Sequence, residues 1–438
     1  MSRIADIAAA LAGYDPLALS VDGVQAFLAQ LVAQAVVSER EEVGVREALG
    51  RVLAEDIISP VSVPPHDNSA MDGFAFDGAI LRDDAATDAS IELNVVGTAL
   101  AGAAWRGSLG AGDAVRIMTG AVMPEGLDTV IPQEFCKVDG DRVSFPAKVL
   151  RRGDNRRFAG EDLMQGQPAL KRGERLSPAA LGMIASLGLP SVSVLRRLRV
   201  AYFSTGDEIL SLGERPREGA VYDSNRYTVF GLLTRLGCEV IDLGLVGDDP
   251  AMLAATLQRA ASEADAIITS GGVSVGAADH TRAVMQRLGD MAFWRVAMRP
   301  GRPMAVGLIP RDQASSSQAG AAVLFGLPGN PVAVMVTFLA FVRPALLRMM
   351  GCHDIAAAPR PLLRARSAGA IRKKPGRTEY QRGFVTAVTG ALPEVRIAGN
   401  QGSGVLSSMV EANGLVVLHH YQGSVGAGDG VDVMMLED

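Results

Sequence analysis

The chain has 438 residues, 48% of them hydrophobic, with a formal net charge of −6 and a pI near 5.5. A chain of this length and apolar content buries sizeable cores and divides into several domains, and its acidic balance argues against a protein that wraps nucleic acid. Cys136, Cys238 and Cys352 stand far apart, without metal or redox spacing, which suits packing residues in a reducing cytosol. No amino-terminal secretion signal is visible. The longest apolar run, Val332 to Leu347, is interrupted by Arg343 and Pro344, so no membrane-spanning segment is expected and the protein reads as soluble and cytoplasmic.

Near the amino end, Val24, Phe27, Leu28, Leu31 and Val32 follow helical spacing, with Asp22 as the expected cap and Gln25 as its capping-box partner. Pro60, Pro64 and Pro65 then lead into an irregular segment, Asp67-Asn-Ser-Ala-Met-Asp-Gly73. From Ile91 to Ala147, short β runs alternate with Gly and Asp, the pattern of a small β domain, and one of them ends in a Thr119-Gly120 turn. The charged turn Arg151–Arg157 closes this part. A short helix follows, with Ser177 as cap, Pro178 at its first position and Gly188 past its end.

From Leu198 to about Met350 strands and helices alternate. Strands are expected at Leu198–Phe203, Val240–Val246 and Ala266–Thr269, and helices near Asn225–Leu236, Pro250–Ala261 and Thr281–Leu288. This is the order of a doubly wound parallel sheet. The polar stretch between Leu308 and Val323 reads as a mobile surface loop. Pro361 to Asp438 returns to short β runs with Gly turns, a separate β domain.

Ser204-Thr-Gly-Asp-Glu208, Ser270-Gly-Gly-Val-Ser-Val-Gly276, Pro300-Gly-Arg-Pro303 and Leu327-Pro-Gly-Asn-Pro331 each follow an apolar, strand-like run. Strands of an open α/β sheet bind ligands beyond their carboxyl ends, so these loops are expected to converge on one edge. Glu208, Asp248 and Asp279 bring carboxylates there, beside Gly-rich turns whose N–H groups attract anions. A Mg²⁺ ion reconciles the two, since carboxylates plus substrate phosphates are its usual ligands. Taken singly, Asp248, in Asp248-Asp249-Pro250, and Asp279 read more readily as helix caps; taken together with Glu208 they favour the functional reading. Arg295, Arg299 and Arg302 bracket Pro300-Gly301 and suit a tetrahedral oxyanion, or else a solvated edge strand. Ser270, Ser274, Gly271 and Gly272 suit a phosphate or a plain turn, and Pro328-Gly329-Asn330 a binding loop or a mere connection. Tyr222-Asp223-Ser224-Asn225 reads as a helix cap. His419 and His420 are adjacent, which on a strand points them to opposite faces and away from a shared zinc ion.

With Asn68-Ser-Ala-Met-Asp-Gly73 and Arg116-Ile-Met-Thr-Gly120, these motifs, in order from about Asp15 to the carboxyl end, resemble the molybdopterin molybdenumtransferases, the family of bacterial MoeA and the E domain of gephyrin. The resemblance implies an elongated four-domain subunit in a homodimer. Residues 15–56 and 151–195 would form a discontinuous helical, linking and dimerising domain, and 57–150 an inserted small β domain. Residues 196–352 would form the doubly wound α/β domain that binds molybdopterin, and 353–438 a β-barrel-like domain. It implies insertion of molybdate into the dithiolene of adenylylated molybdopterin, with Mg²⁺-dependent release of AMP. Molybdopterin adenylyltransferase and molybdoenzyme-maturation proteins are the implied partners.

By the same resemblance, Glu208, Asp248, Asp279 and Asp72 are catalytic, the first three of them through the metal. Thr119, Thr205, Gly206, Asp207, Ser270, Gly271, Gly272, Ser274, Pro300, Gly301, Pro328, Gly329 and Asn330 bind substrate, with Asp72 and Thr119 reaching the site of the other subunit. Arg299, Arg302, Arg377 and Ser408 meet molybdate, with Ser403 and Ser407 nearby. Arg299 and Arg302 stand where many members have Lys, which keeps charge and changes shape. Ala333 stands where members often have Ser. The alternatives are a pterin-binding scaffold without turnover and the adenylyltransferase step itself, which needs only one small domain.

Overall fold

The structure is a computed structural model that describes residues 2–81, 90–272, 279–311, 320–353 and 357–436, with backbone only at 279 and 280. Ser274, and most of the polar stretch between Leu308 and Val323, lie outside the described residues.

After a short first helix, Arg3–Ala10, the second spans Val21–Val32 and buries Val24, Phe27, Leu28, Leu31 and Val32, the stripe that its spacing dictates. Its cap is Ser20, whose hydroxyl accepts the Gly23 N–H at 3.1 Å. Asp22 lies inside the first turn, where its charge meets the positive end of the helix. Gln25 donates to the Ala340 carbonyl, so the expected capping box does not form. Phe27 packs edge-on against Trp294, 4.9 Å between ring centroids, and burying each such side chain contributes about 1.5–3 kcal/mol.

Three antiparallel ribbons then tie the outgoing chain to the returning one. Arg40–Gly44 pairs with Ser191–Leu195, Ile57–Ile58 with Pro168–Leu170, and Asn68–Ser69 with Arg156–Arg157. Part of the expected irregular segment is therefore strand. Beyond the last ribbon lies a six-stranded sheet ordered Thr129–Pro132, Gly73–Phe76, Asp113–Ile117, Ser90–Ala99, Arg142–Pro146, Lys137–Asp139. Phe74 and Phe76 fill one of its faces and Ala75 the other, the alternation of a strand covered on both sides.

The α/β sheet contains β1 (Arg199–Thr205), β2 (Glu239–Val246), β3 (Ala266–Ser270), β4 (Asp290–Arg295), β5 (Pro303–Pro310) and β6 (Ala321–Leu327), in the order β2-β1-β3-β6-β5-β4. Helices α1 (Ser224–Leu236), α2 (Pro250–Glu263), α3 (Asp279–Leu288) and α4 (Pro331–Thr337) cover both faces, as in a doubly wound fold. The sheet is mixed, not wholly parallel. β5 is antiparallel to β4 and β6, since the connections on either side of it are shorter than a parallel crossover needs.

α4 continues through a π-helical turn, Phe338–Val342, into Arg343–Met349. Pro344 lacks an N–H, and the wider turn accommodates the gap. Contrary to the expectation from sequence, the 19 residues Pro331–Met349 are long and apolar enough to cross a membrane; 78% burial makes them a core helix.

The last strands close a five-membered barrel. Thr378–Thr386 pairs with Glu394–Ile397, which continues through Leu363–Ser367, Gly430–Met435 and Gly414–Leu418 back to Thr378–Thr386. Tyr380, Met409 and Val417 share a core with the α/β sheet, so the barrel is packed onto it. A compact monomer of this mass would expose about 16,000 Å²; this chain exposes 21891 Å² and divides its apolar side chains among separate cores, as an open, multidomain subunit does. Cys238 and Cys352 are buried, and burial raises the Cys238 thiol to about 12.

Candidate active site

Three parallel strands end side by side. Ser204 of β1 is in register with Ser270 of β3, and Ser270 with Leu327 of β6. β5 runs the other way, with Ala305 opposite Gly326, so its beginning lies at the same edge. Pro300-Gly301-Arg302 therefore joins the other turns because it precedes an antiparallel strand, not because it follows a parallel one.

The turn after β3 is pressed onto β1. Gly271 has φ +90°, and a Cβ on it would meet the Thr205 carbonyl oxygen at 2.5 Å, so only glycine fits. The Pro328-Gly329-Asn330 turn abuts it, since a Cβ on Gly329 would lie 3.9 Å from Gly271 Cα. Gly329 O accepts from Asn225 Nδ2 at 2.7 Å, tying this turn to the start of α1. Asp223 caps that helix through the Arg226 N–H, as expected. Asn330 precedes α4 without a side-chain capping bond.

An acidic corner forms where β1 and β2 end. A bulge at Gly244, held by Asp242 and Arg226, re-aims the last residues of β2. Asp249 is the true cap of α2, accepting the Met252 N–H at 2.7 Å. Asp248 is left free of that duty, and its own N–H donates to Asp207 Oδ1 at 3.2 Å. The Glu208 carboxylate folds back over Gly206, within 2.5–2.9 Å of where a Cβ would stand. Desolvation first, then the charges of Asp207 and Glu208, raise the Asp248 carboxyl above the usual carboxylate range. Such an under-neutralised corner fits a hard divalent cation. Among the described residues, no three His, Cys, Asp or Glu side chains already form a ligand set. Asp279 starts α3, and its side chain lies outside the description.

A cationic corner lies at the same edge, on the barrel side. The short strand Met298–Arg299 pairs in parallel with Thr378–Glu379, joining the Pro300–Pro303 loop to the barrel. Arg299 and Arg302 are exposed, and among the described residues no hydrogen bond or ion pair engages either guanidinium. Arg377 is paired with Glu379 at 2.7 Å, so much of its charge is already answered. Ser408 is buried, donates to Val405 O and accepts from Arg382 Nε. Ala333, in α4, is buried and offers the site no hydroxyl.

Arg382 is a residue the sequence reading missed. It is 1% exposed and held by Ser408 and by the carbonyls of Asn400 and Gly402, with no carboxylate partner among the described residues. Burial, and then Arg299, lower its affinity for its proton. Its strand, Thr378-Glu-Tyr-Gln-Arg-Gly-Phe-Val-Thr386, is mostly polar and gave no local signal that Arg382 is buried. Tyr202 was missed as well: it lies beneath Ser204 and Ser270 and bonds both.

Asp72 and Thr119 are brought together in the inserted sheet. Asp72 Oδ1 accepts from the Thr119 N–H and from its hydroxyl, each at 2.7 Å. The N–H first, and then the hydroxyl, hold the carboxyl below its ordinary value. Their bonds are to each other, and none among the described residues joins them to the α/β edge. At the barrel, His419 bonds Asp432.

The sequence matches three family models: the MoeA N-terminal region (domain I and II) over residues 19–188, a probable molybdopterin binding domain over 201–348, and the MoeA C-terminal region (domain IV) over 364–436. It is 39% identical over 396 residues to molybdopterin molybdenumtransferase of Haemophilus influenzae, spanning 90% of this chain and 94% of that protein. It is 35% identical over 401 residues to the protein of that name from Nostoc sp., spanning 91% and 89%. The crystal structure of the molybdopterin biosynthesis moeA protein from Pyrococcus horikoshii OT3 superposes with a TM-score of 0.75 at 27% identity, covering 95% of this chain and 100% of that one. A mixed α/β sheet with an acidic and a cationic corner on one edge, a ribbon-tethered β insertion and a closing barrel thus coincide with matches along nearly the whole sequence: the chain belongs to the MoeA family of molybdopterin molybdenumtransferases.

Proposed function

We propose that this chain inserts molybdate into the dithiolene of adenylylated molybdopterin, with Mg²⁺-dependent release of AMP, to form molybdenum cofactor. The observation that carries the reading is the pairing of opposite corners on one edge: Glu208, Asp207 and Asp248 on one side, and the unengaged Arg299 and Arg302 on the other. A substrate that joins a diphosphate to an oxyanion acceptor needs both at once.

In this reading, Glu208 and Asp248, with Asp279 at the start of α3, hold Mg²⁺, which supplies charge neutralisation at the diphosphate. The Ser270–Gly272 turn and the Pro328–Asn330 turn hold the substrate through N–H and hydroxyl groups, with Thr205 and Gly206 beside them. Arg299 and Arg302 hold the molybdate dianion as planar forks, where a lysine would act as a point charge. Asp72, kept ionised by Thr119, acts as a fixed acceptor and not as a proton donor. We place it in the site of a second subunit, the protein working as a cytoplasmic homodimer. Its supplier is an adenylyltransferase, and proteins that mature molybdoenzymes take its product.

The test is AMP release from adenylylated molybdopterin and Mg²⁺, with and without molybdate. Molybdate-dependent release is expected. Tight binding of the intermediate with no release would replace the reading with that of a carrier.

A further inference from the structure

Three hydroxyls meet just beneath the site edge, and the proposed reaction makes no use of the deepest. Tyr202 Oη lies 2.6 Å from Ser270 Oγ and 2.9 Å from Ser204 Oγ, while the two serine oxygens are 3.4 Å apart. All three side chains are almost wholly buried. The meeting follows from register. Ser204 and Ser270 are partners across β1 and β3, and Tyr202 is two residues back on the same face, so its ring runs along the sheet toward the edge.

Three hydroxyls carry three protons, and the two short contacts use two of them. With the phenol donating across the shorter contact, to Ser270, and accepting from Ser204, the remaining proton is that of Ser270. The serine–serine separation exceeds the roughly 2.5–3.0 Å of a good hydroxyl hydrogen bond, so that proton has no strong partner within the cluster. Burial raises the Tyr202 phenol far above its ordinary value, and it stays protonated. Ser270 opens the Gly271-Gly272 turn, whose conformation already turns the chain toward the edge.

We propose that Tyr202 is a positioning residue: it fixes the Ser270 hydroxyl from below, so that the Ser270 proton is left to an anionic oxygen of the bound substrate. Without the phenol, the nearest acceptor for Ser270 is Ser204, and its proton turns inward. The inference rests on the function proposed above.

The experiment measures the Kd of adenylylated molybdopterin, and Tm, for the wild type, Y202F, S204A, S270A and Y202F/S270A. Y202F should weaken binding about five- to tenfold, the scale of one hydrogen bond. S204A should stay within about twofold, because Tyr202 still holds Ser270, and Y202F/S270A should be no weaker than S270A alone. A purely structural cluster would lower Tm in Y202F and S204A alike and leave both affinities unmoved; that result overturns the proposal. If Y202F does not fold, the contrast between S270A and S204A decides, and equal effects overturn it. A wild type that does not bind the intermediate overturns the functional reading itself, whereas tight wild-type binding with an unchanged Y202F overturns this inference alone.

Discussion

Arg382 donates from Nε to Ser408 Oγ at 3.0 Å, and Ser408 gives its own proton to Val405 O at 2.6 Å. The serine therefore orients the arginine and has no proton left for an oxyanion. Among the described residues this buried guanidinium is held only by neutral acceptors, so its charge is left unanswered by any carboxylate.

Ser408→Ala should act at one remove. Arg382 keeps its bonds to Asn400 O and Gly402 O but loses the restraint on Nε. The KM for molybdate is expected to rise about three- to tenfold, with kcat retained at saturation and a stability loss of about 1 kcal/mol in urea unfolding. An unchanged KM would show that the serine has no bearing on the anion.

The bond between Asp72 and Thr119 leads to a test of subunit cooperation. Thr119 is exposed and Asp72 half-buried, and neither side chain is part of a hydrophobic core, so Asp72→Ala should cost no more than about 1 kcal/mol, the scale of its bonds to Thr119. In the proposed dimer it removes a group that serves the partner's site. D72A and Glu208→Gln, each inactive alone, should regain activity when their subunits are exchanged, since a mixed dimer retains one site with neither change. Failure to complement, in a mixture shown to contain mixed dimers, would place both residues in one subunit's site or in none.

Much of this architecture was legible from local pattern. The apolar periods of Val21–Val32 and Arg199–Thr205, and the cap at Ser177, are short-range physics, and the structure keeps them. The meeting of the turns after β1, β3 and β6 followed from strand order, whereas the Pro300–Pro303 turn reaches the same edge by preceding the antiparallel β5. Where the reading failed, a neighbour in space decided. Gln25 left its expected capping box for a carbonyl 315 residues away. β5 reversed because its connections are too short for a crossover. Of two adjacent aspartates, Asp249 and not Asp248 became the cap, because Pro250 takes the first helical position directly after it. Tyr202 escaped notice because its apolar strand marks it only as core, and Arg382 because its mostly polar strand does not mark it as buried at all.

The acidic corner predicts a link between pH and cation. The folded Asp248 carboxyl lies above its unfolded value, so the native state takes up a proton more readily than the unfolded chain does. At neutral pH its ionised form costs native stability, and that cost is relieved as pH falls through the raised value. Mg²⁺ should relieve it as well. Tm should rise with Mg²⁺ at neutral pH and respond less in mild acid, where the proton competes, and Asp248→Asn should abolish most of the response. A Tm indifferent to Mg²⁺ in the wild type would remove the metal from this corner.

Gly301 offers the sharpest structural test of the cationic corner. Its φ is +95°, and an added Cβ would meet Thr337 Cγ2 at 2.5 Å. The Arg299–Pro303 loop thus lies directly on the helix that begins at Pro331, and the two arginines flank the contact. Gly301→Ala should cost about 1–3 kcal/mol, part from backbone conformation and part from the clash. Thr337→Ser removes only the clashing methyl and keeps the hydroxyl that donates to Ala333 O at 2.7 Å. G301A/T337S should therefore recover the steric part of the stability and leave the conformational part. Loss of molybdate-dependent turnover should follow the steric part, because it is the clash that lifts Arg299 and Arg302 from their places. If the double variant is no more stable than G301A, the loop does not pack on Thr337 as described.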